Sequence, residues 1–196
     1  MVSALPLLLD PQSFPVAELS ALVLDQEVRA VAGVHCPADI RPSPGLRALA
    51  LLACVPAGLI AERRTAAWLH GALTRLDSPL QLCVRSAHRV NVTPSPERRV
   101  RQVVLAEREI VDHGGVLATD AVRTAVDLLR WEPRFGAEQA SCVATLLLSV
   151  SATPGDARAG LRRNPHLPHK QRALRRLERL PGFGEPLGGA QPPVTR

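Results

Sequence analysis

The sequence predicts an α+β protein of short strands and five or six helices. Three observations carry that reading. Valine-rich runs at residues 27–36 and 100–107 have strand character. Apolar residues recur at i, i+3, i+4 and i+7 after Thr119, the period of a half-buried helix. Proline and glycine clusters punctuate the chain between these runs. At 196 residues and 46% hydrophobic, the chain has the material for a core and too much of it for disorder. No internal repeat is visible.

Residues 17–24 read as a short helix, and residues 27–36 (EVRAVAGVHC) as a strand or small hairpin bent at Gly33. Pro37, Pro42 and Pro44 mark a linker, and residues 46–55 a helix closed by Pro56 and Gly58. Thr65 is placed to cap a second helix, 66–73, whose Trp68 and Leu69 need a core. Residues 79–85 and 100–107 alternate as strands, with a loop at 91–97 around Pro94 and Pro96. Residues 109–117 form a strand pair turning at Gly114-Gly115. Thr119 or Asp120 then caps the best helix in the chain. Its buried face is Val122, Ala125, Val126 and Leu129, with Arg123, Asp127 and Arg130 on the other. Arg123 and Asp127 lie one turn apart, an expected surface pair stabilising the helix by about 0.3–0.5 kcal/mol. Residues 137–150 form a further apolar helix.

The charge is uneven. Up to residue 157 there are 15 arginines against 16 acidic residues. From residue 158 onward eight arginines and Lys170 face only Glu178 and Glu185. A balanced body with a basic end is the footprint of a nucleic-acid or acidic-partner contact. Residues 170–180 have no breaker and read as a helix. Arg172, Arg175, Arg176 and Arg179 share one face, and Leu174, Leu177 and Leu180 the other. Arg162, Arg163 and Lys170 extend the basic surface, so these seven residues are the expected DNA contacts. The glycine- and proline-rich residues beyond Pro181 read as an unstructured tail.

Several chemistries are missing. Neither phosphate-cradling glycine motif is present, nor HExxH, nor GxSxG. His166 and His169 are interrupted by Pro168 and lack a third ligand, so neither a metal nor a cofactor is expected. Asp112 and His113 are sequence neighbours whose side chains leave a strand on opposite faces, a turn rather than a catalytic dyad. His70 ahead of Gly71 reads as a helix C-terminus favoured by the dipole. The five aromatic residues are too few and too scattered for a base-stacking platform. Cys36, Cys54, Cys83 and Cys142 lie far apart and read as reduced, buried residues. The longest uncharged apolar run is broken by Pro56 and Gly58, and no basic residue precedes Arg29. Neither a membrane span nor a secretory signal is expected, which points to the cytoplasm. No catalytic residue is assigned.

Three stretches in order resemble the AbiEi family of antitoxins and transcriptional regulators from type IV toxin–antitoxin systems, in its actinobacterial form. They are RTAAWLHGAL (64–73), GGVLATDAVRTAVDLLR (114–130) and the basic LRRNPHLPHKQRALRRLERL (161–180). Trp68, His70, Gly71, Arg123, Thr124 and Asp127 carry the motif matches. The resemblance implies a winged-helix DNA-binding unit, here reduced to residues 1–45, with the last helix and the wing. An α/β domain over 46–157 and a basic helix with its tail over 158–196 would follow. It implies a non-enzymatic autoregulator that binds duplex DNA at its own promoter. The same resemblance implies antagonism of a nucleotidyltransferase-type toxin without a stable complex. The alternative is an orphan protein-interaction domain of the same fold, with the basic tail on an acidic partner.

Overall fold

The computed structural model describes residues 7–87, 95–163 and 166–180. It is a mixed α and β structure, and the chain divides into two compact units, Met1–Asp120 and Ala121–Arg196. The expected boundaries near residues 45 and 157 are not where the division falls. It falls inside the 46–157 segment, because the helix opening at Ala121 packs with the helices that follow it.

The first unit begins with α1 (Val16–Leu24) and the hairpin β1 (Val28–Val31) and β2 (Val34–Pro37). Their antiparallel register runs from Val28 opposite Pro37 to Val31 opposite Val34, and Ala32 and Gly33 make the turn with positive φ. Leu9 pairs with His35 on the outer edge of β2, and Leu9, Leu19 and Val28 form a small core beneath Phe14 and Leu22. α2 (Pro44–Leu51) starts where Ser43 Oγ accepts from the Leu46 amide at 3.2 Å, with Pro44 in the first turn. It stops at Leu51, short of the expected residue 55.

The larger sheet has the order β5-β4-β3-β7-β6. Its strands are β3 (Ile60–Ala61), β4 (Leu80–Arg85), β5 (Arg98–Val103), β6 (Ile110–Asp112) and β7 (Leu117–Thr119). β3 pairs antiparallel with β4 and parallel with β7, while β4 and β5 run parallel. β6 and β7 are the expected pair turning at Gly114-Gly115. β5 begins two residues early, and Glu107 falls instead in a 3-10 turn, Glu107–Glu109. Ile60, Cys83 and Leu105 are buried together under Val103, Ile110 and Leu117.

α3 (Arg63–Leu69) packs against β4 and β7. Its N-cap is Glu62, not Thr65. Thr65 lies inside the helix and is buried, with its hydroxyl accepting from the Gln81 amide at 2.8 Å. Glu62 is fully buried and its carboxylate takes two 2.6 Å bonds from Arg101 and one of 3.1 Å from Arg63. Cys36, Cys83 and Cys142 are buried as expected, but Cys54 is exposed in the turn after α2.

The second unit is helical: α4 (Ala121–Trp131), α5 (Ala137–Ser149), α6 (Pro154–Arg162) and α7 (Lys170–Leu177). α4 packs against all three others. Val143, Leu146 and Leu147 of α5 and Leu161 of α6 lose all contact with solvent. Each such aliphatic side chain contributes on the order of 1.5–3 kcal/mol on burial. α6 was not expected. It opens with a capping box in which Thr153 Oγ1 accepts from the Asp156 amide and Asp156 accepts from the Thr153 amide. The tail expected beyond Pro181 lies outside the described residues, as does most of the loop expected at 91–97. Among the described residues no helix is long and apolar enough to cross a membrane.

Candidate nucleic-acid interface

The basic surface of the second unit is built on a joint between α4 and α7. Helical period puts Asp127 and Arg130 opposite the apolar stripe of α4, yet both are buried, with side chains 2% and 5% exposed. α4 lies among three helices, so nearly every face of it is covered. Asp127 accepts from Arg123 Nε at 2.9 Å and from Arg130 Nη1 at 2.7 Å. The expected surface pair of Arg123 and Asp127 is therefore an interior one, and Arg130 is its third member. Arg130 Nε also donates to the Pro168 carbonyl at 3.0 Å, which fixes the segment leading into α7. Thr124 is buried beside them, and Val122, assigned to the core face, is only half-buried.

Arg176 closes the joint from the other side. Its Nη1 donates to the Leu129 carbonyl at 2.9 Å and its Nη2 to the Glu132 carbonyl at 2.8 Å. These are carbonyls of the C-terminal turn of α4, where intrahelical donors run out. The guanidinium also lies 4.9 Å above the Phe135 ring. Burial lowers its pKa from the ordinary arginine value, as does the Arg172 cation, while Glu132 opposes the shift. Arg176 thus leaves the outward array expected for it. At about 100° per residue it stands nearer the buried stripe of Ala173 and Leu177 than its neighbours do.

Arg172, Arg175 and Arg179 remain exposed, and so do Arg162 and Arg163 at the end of α6. Among the described residues none of these five has a carboxylate within ion-pair distance. Arg172, Arg175 and Arg179 border a shallow depression of about 690 Å³ with half-buried Lys170 at its edge. α7 ends at Leu177, earlier than expected, and Arg179 and Leu180 continue it as tight turns bonded to Arg176 and Leu177 carbonyls. His169 stands at the start of α7 with φ of 60° and meets the Trp131 ring edge-on at 4.7 Å. Among the described residues no cluster of histidine, cysteine and carboxylate side chains could hold a metal.

The motif residues of the first unit are structural in placement. Trp68 is buried, with the Arg47 guanidinium 4.9 Å from its ring. His70 is the C-cap of α3 and Gly71 follows it with φ of 86°. The reason for a histidine there is not the helix dipole. Its Nε2 donates to the Thr119 carbonyl at 2.7 Å, and its ring meets that of His113 edge-on at 5.1 Å. Burial pushes the pKa of both histidines down, which disfavours the cation a dipole would attract. Asp112 accepts from the Gly115 amide, the role of a turn residue.

One cleft of the first unit corresponds to no motif in the sequence. It measures about 1140 Å³ and carries five arginines drawn from residues 29 to 98. No spacing links them, so only the fold brings them together.

The chain matches no protein-family model and no curated protein sequence. Among solved structures it is similar to the one described as the RV2827C protein from Mycobacterium tuberculosis, with a TM-score of 0.44 and 17% identity, over 89% of this chain and 71% of that one.

Proposed function

We propose that the protein is a non-enzymatic, AbiEi-like antitoxin and autoregulator of the cytoplasm that binds duplex DNA at its own promoter. The observation that supports this reading is the α7 face. Three exposed guanidiniums, with no carboxylate in ion-pair distance among the described residues, stand on α7 and the turn that continues it, held from both sides by Arg130 and Arg176. A row of exposed arginines suits phosphates, and phosphate contacts position a protein on DNA. α1 and the β1–β2 hairpin take the parts of helix and wing in a reduced winged-helix unit. α1 carries Glu18 and no basic residue, so the hairpin with Arg29 would be the side that approaches DNA. A nucleotidyltransferase-type toxin is the partner whose action it would oppose, without a stable complex. The test is binding to its own upstream DNA against scrambled DNA across a salt series. Preference for the promoter supports the autoregulator, and indifference to DNA at low salt overturns it.

A second reading, a protein-interaction domain, is favoured by α1 itself. Val16 and Leu24 are 69% and 82% exposed there, an apolar surface suited to a protein partner.

A further inference from the structure

The cleft in the first unit is lined by Arg29 of the hairpin, Arg41 and Arg47 around the start of α2, Arg75 beyond α3, and Arg98 at the start of β5. Two carboxylates face them, Asp77 and Glu97. Asp77 is held by Arg64, which does not line the cleft, so its charge is already answered. A strong positive excess is left inside a concave, partly apolar wall that includes Val31, Leu51 and Leu80.

Two of the arginines have surroundings that leave their charge available. Arg47 donates to the carbonyls of Pro42, Trp68 and Leu73 at 3.3, 2.7 and 2.8 Å. Those bonds orient the guanidinium over Trp68, but carbonyls cancel none of its unit charge. Arg98 has its Nε buried with no acceptor in reach among the described residues. A buried donor left without a partner is destabilising, and an anionic acceptor would satisfy it. Arg29, Arg41 and Arg75 are exposed at the rim and free to close on a ligand.

We propose that this cleft is a binding site for a nucleoside di- or triphosphate. Guanidinium forks match phosphate oxygens, and only a ligand with several negative charges balances five arginines. The volume, somewhat above that of common small-molecule sites, admits a nucleotide with water, and the apolar wall suits its base. Guanidiniums here replace the backbone amides of a glycine-rich loop, so the lack of such a loop is no obstacle. The site belongs to the first unit alone and is independent of promoter binding by α7.

The test is titration of the full chain with ATP, GTP, pyrophosphate, adenosine and a short single-stranded oligonucleotide, by calorimetry. A parallel titration in a Trp131→Phe background leaves Trp68 as the only indole, and it sits in the cleft wall. ATP or GTP is expected to bind and to change Trp68 emission, while adenosine does neither. Arg41→Ala with Arg75→Ala alters only exposed rim residues, and Arg98→Gln removes the buried donor. Each is expected to weaken nucleotide binding by about tenfold, or 1.4 kcal/mol. No nucleotide binding at low salt up to about 5 mM overturns the proposal. So does binding that the arginine variants leave unchanged. An oligonucleotide that binds with this arginine dependence while nucleotides do not overturns it too, and makes the cleft a strand groove.

Discussion

Arg130 Nη1 lies 2.7 Å from Asp127 Oδ1 in the interior of the helical unit, one turn apart on α4. Arg123 and the Pro168 carbonyl belong to the same network, so the carboxylate neutralises a guanidinium that also carries the start of α7. Asp127→Ala would take from buried Arg130 the carboxylate that lies 2.7 Å from it. The expected loss is about 3–5 kcal/mol of stability, the range for breaking a buried pair from one side. Urea unfolding followed by helical circular dichroism measures it. A loss under about 1 kcal/mol would mean that water reaches Arg130.

The two sets of arginines on α7 and the turn after it should separate by assay. Replacing Arg172, Arg175 and Arg179 with alanine is expected to make the log–log salt slope of DNA binding shallower by about 2.7, at about 0.9 per phosphate. Stability should hardly change, since all three are exposed. Arg176→Ala should do the reverse. Losing the bonds that Arg176 donates to the Leu129 and Glu132 carbonyls costs about 1–3 kcal/mol, seen as a lower urea midpoint.

The outline of the fold was legible where local pattern decides it. The hairpin at 27–36, the turn at Gly114-Gly115 and the apolar helix at 137–150 all have their own punctuation and stand where the pattern puts them. α6 lacked an apolar stripe, since only Ala157 and Leu161 are buried, and its sign was the Thr153-Pro154-Gly155-Asp156 cap. Asp127, Arg130 and Arg176 were misplaced for one physical reason. Periodicity sends charges outward, and it takes a partner distant in sequence, such as the Pro168 or Leu129 carbonyl, to bring them in. The five cleft arginines had no such pattern at all.

Gly71 isolates a backbone effect. A Cβ there would meet nothing within 4 Å, yet φ is 86°. Gly71→Ala should therefore destabilise the first unit by about 1–2 kcal/mol through strain alone. Gly71→Asn should cost less, because asparagine tolerates the left-handed region. Thermal melts of the two variants compare them directly, and equal losses would point to packing instead.

The pair of histidines makes the first unit sensitive to acid. His70 and His113 both have pKa values pushed below the ordinary 6.5 by burial. The unfolded chain takes up protons first as pH falls, so their contribution is intact above about 6.5 and is lost below it. The melting temperature should drop as pH moves from 7.5 towards 5, and His113→Gln should flatten that drop. A profile unchanged in the variant would place the acid sensitivity elsewhere.

β3 is only two residues long, yet it stands at the centre of the five-stranded sheet. Ile60 and Ala61 meet Leu82 and Cys83 on one side and Leu117 and Ala118 on the other, and the Glu62 amide adds one bond to the Gln81 carbonyl. The ribbon of β6 and β7 is thus stitched to β4 and β5 by the narrowest seam in the fold. A sheet joined this way parts along that seam before its wider β4–β5 ladder yields. Amide exchange would follow the same order, with the β6–β7 ribbon released as one piece.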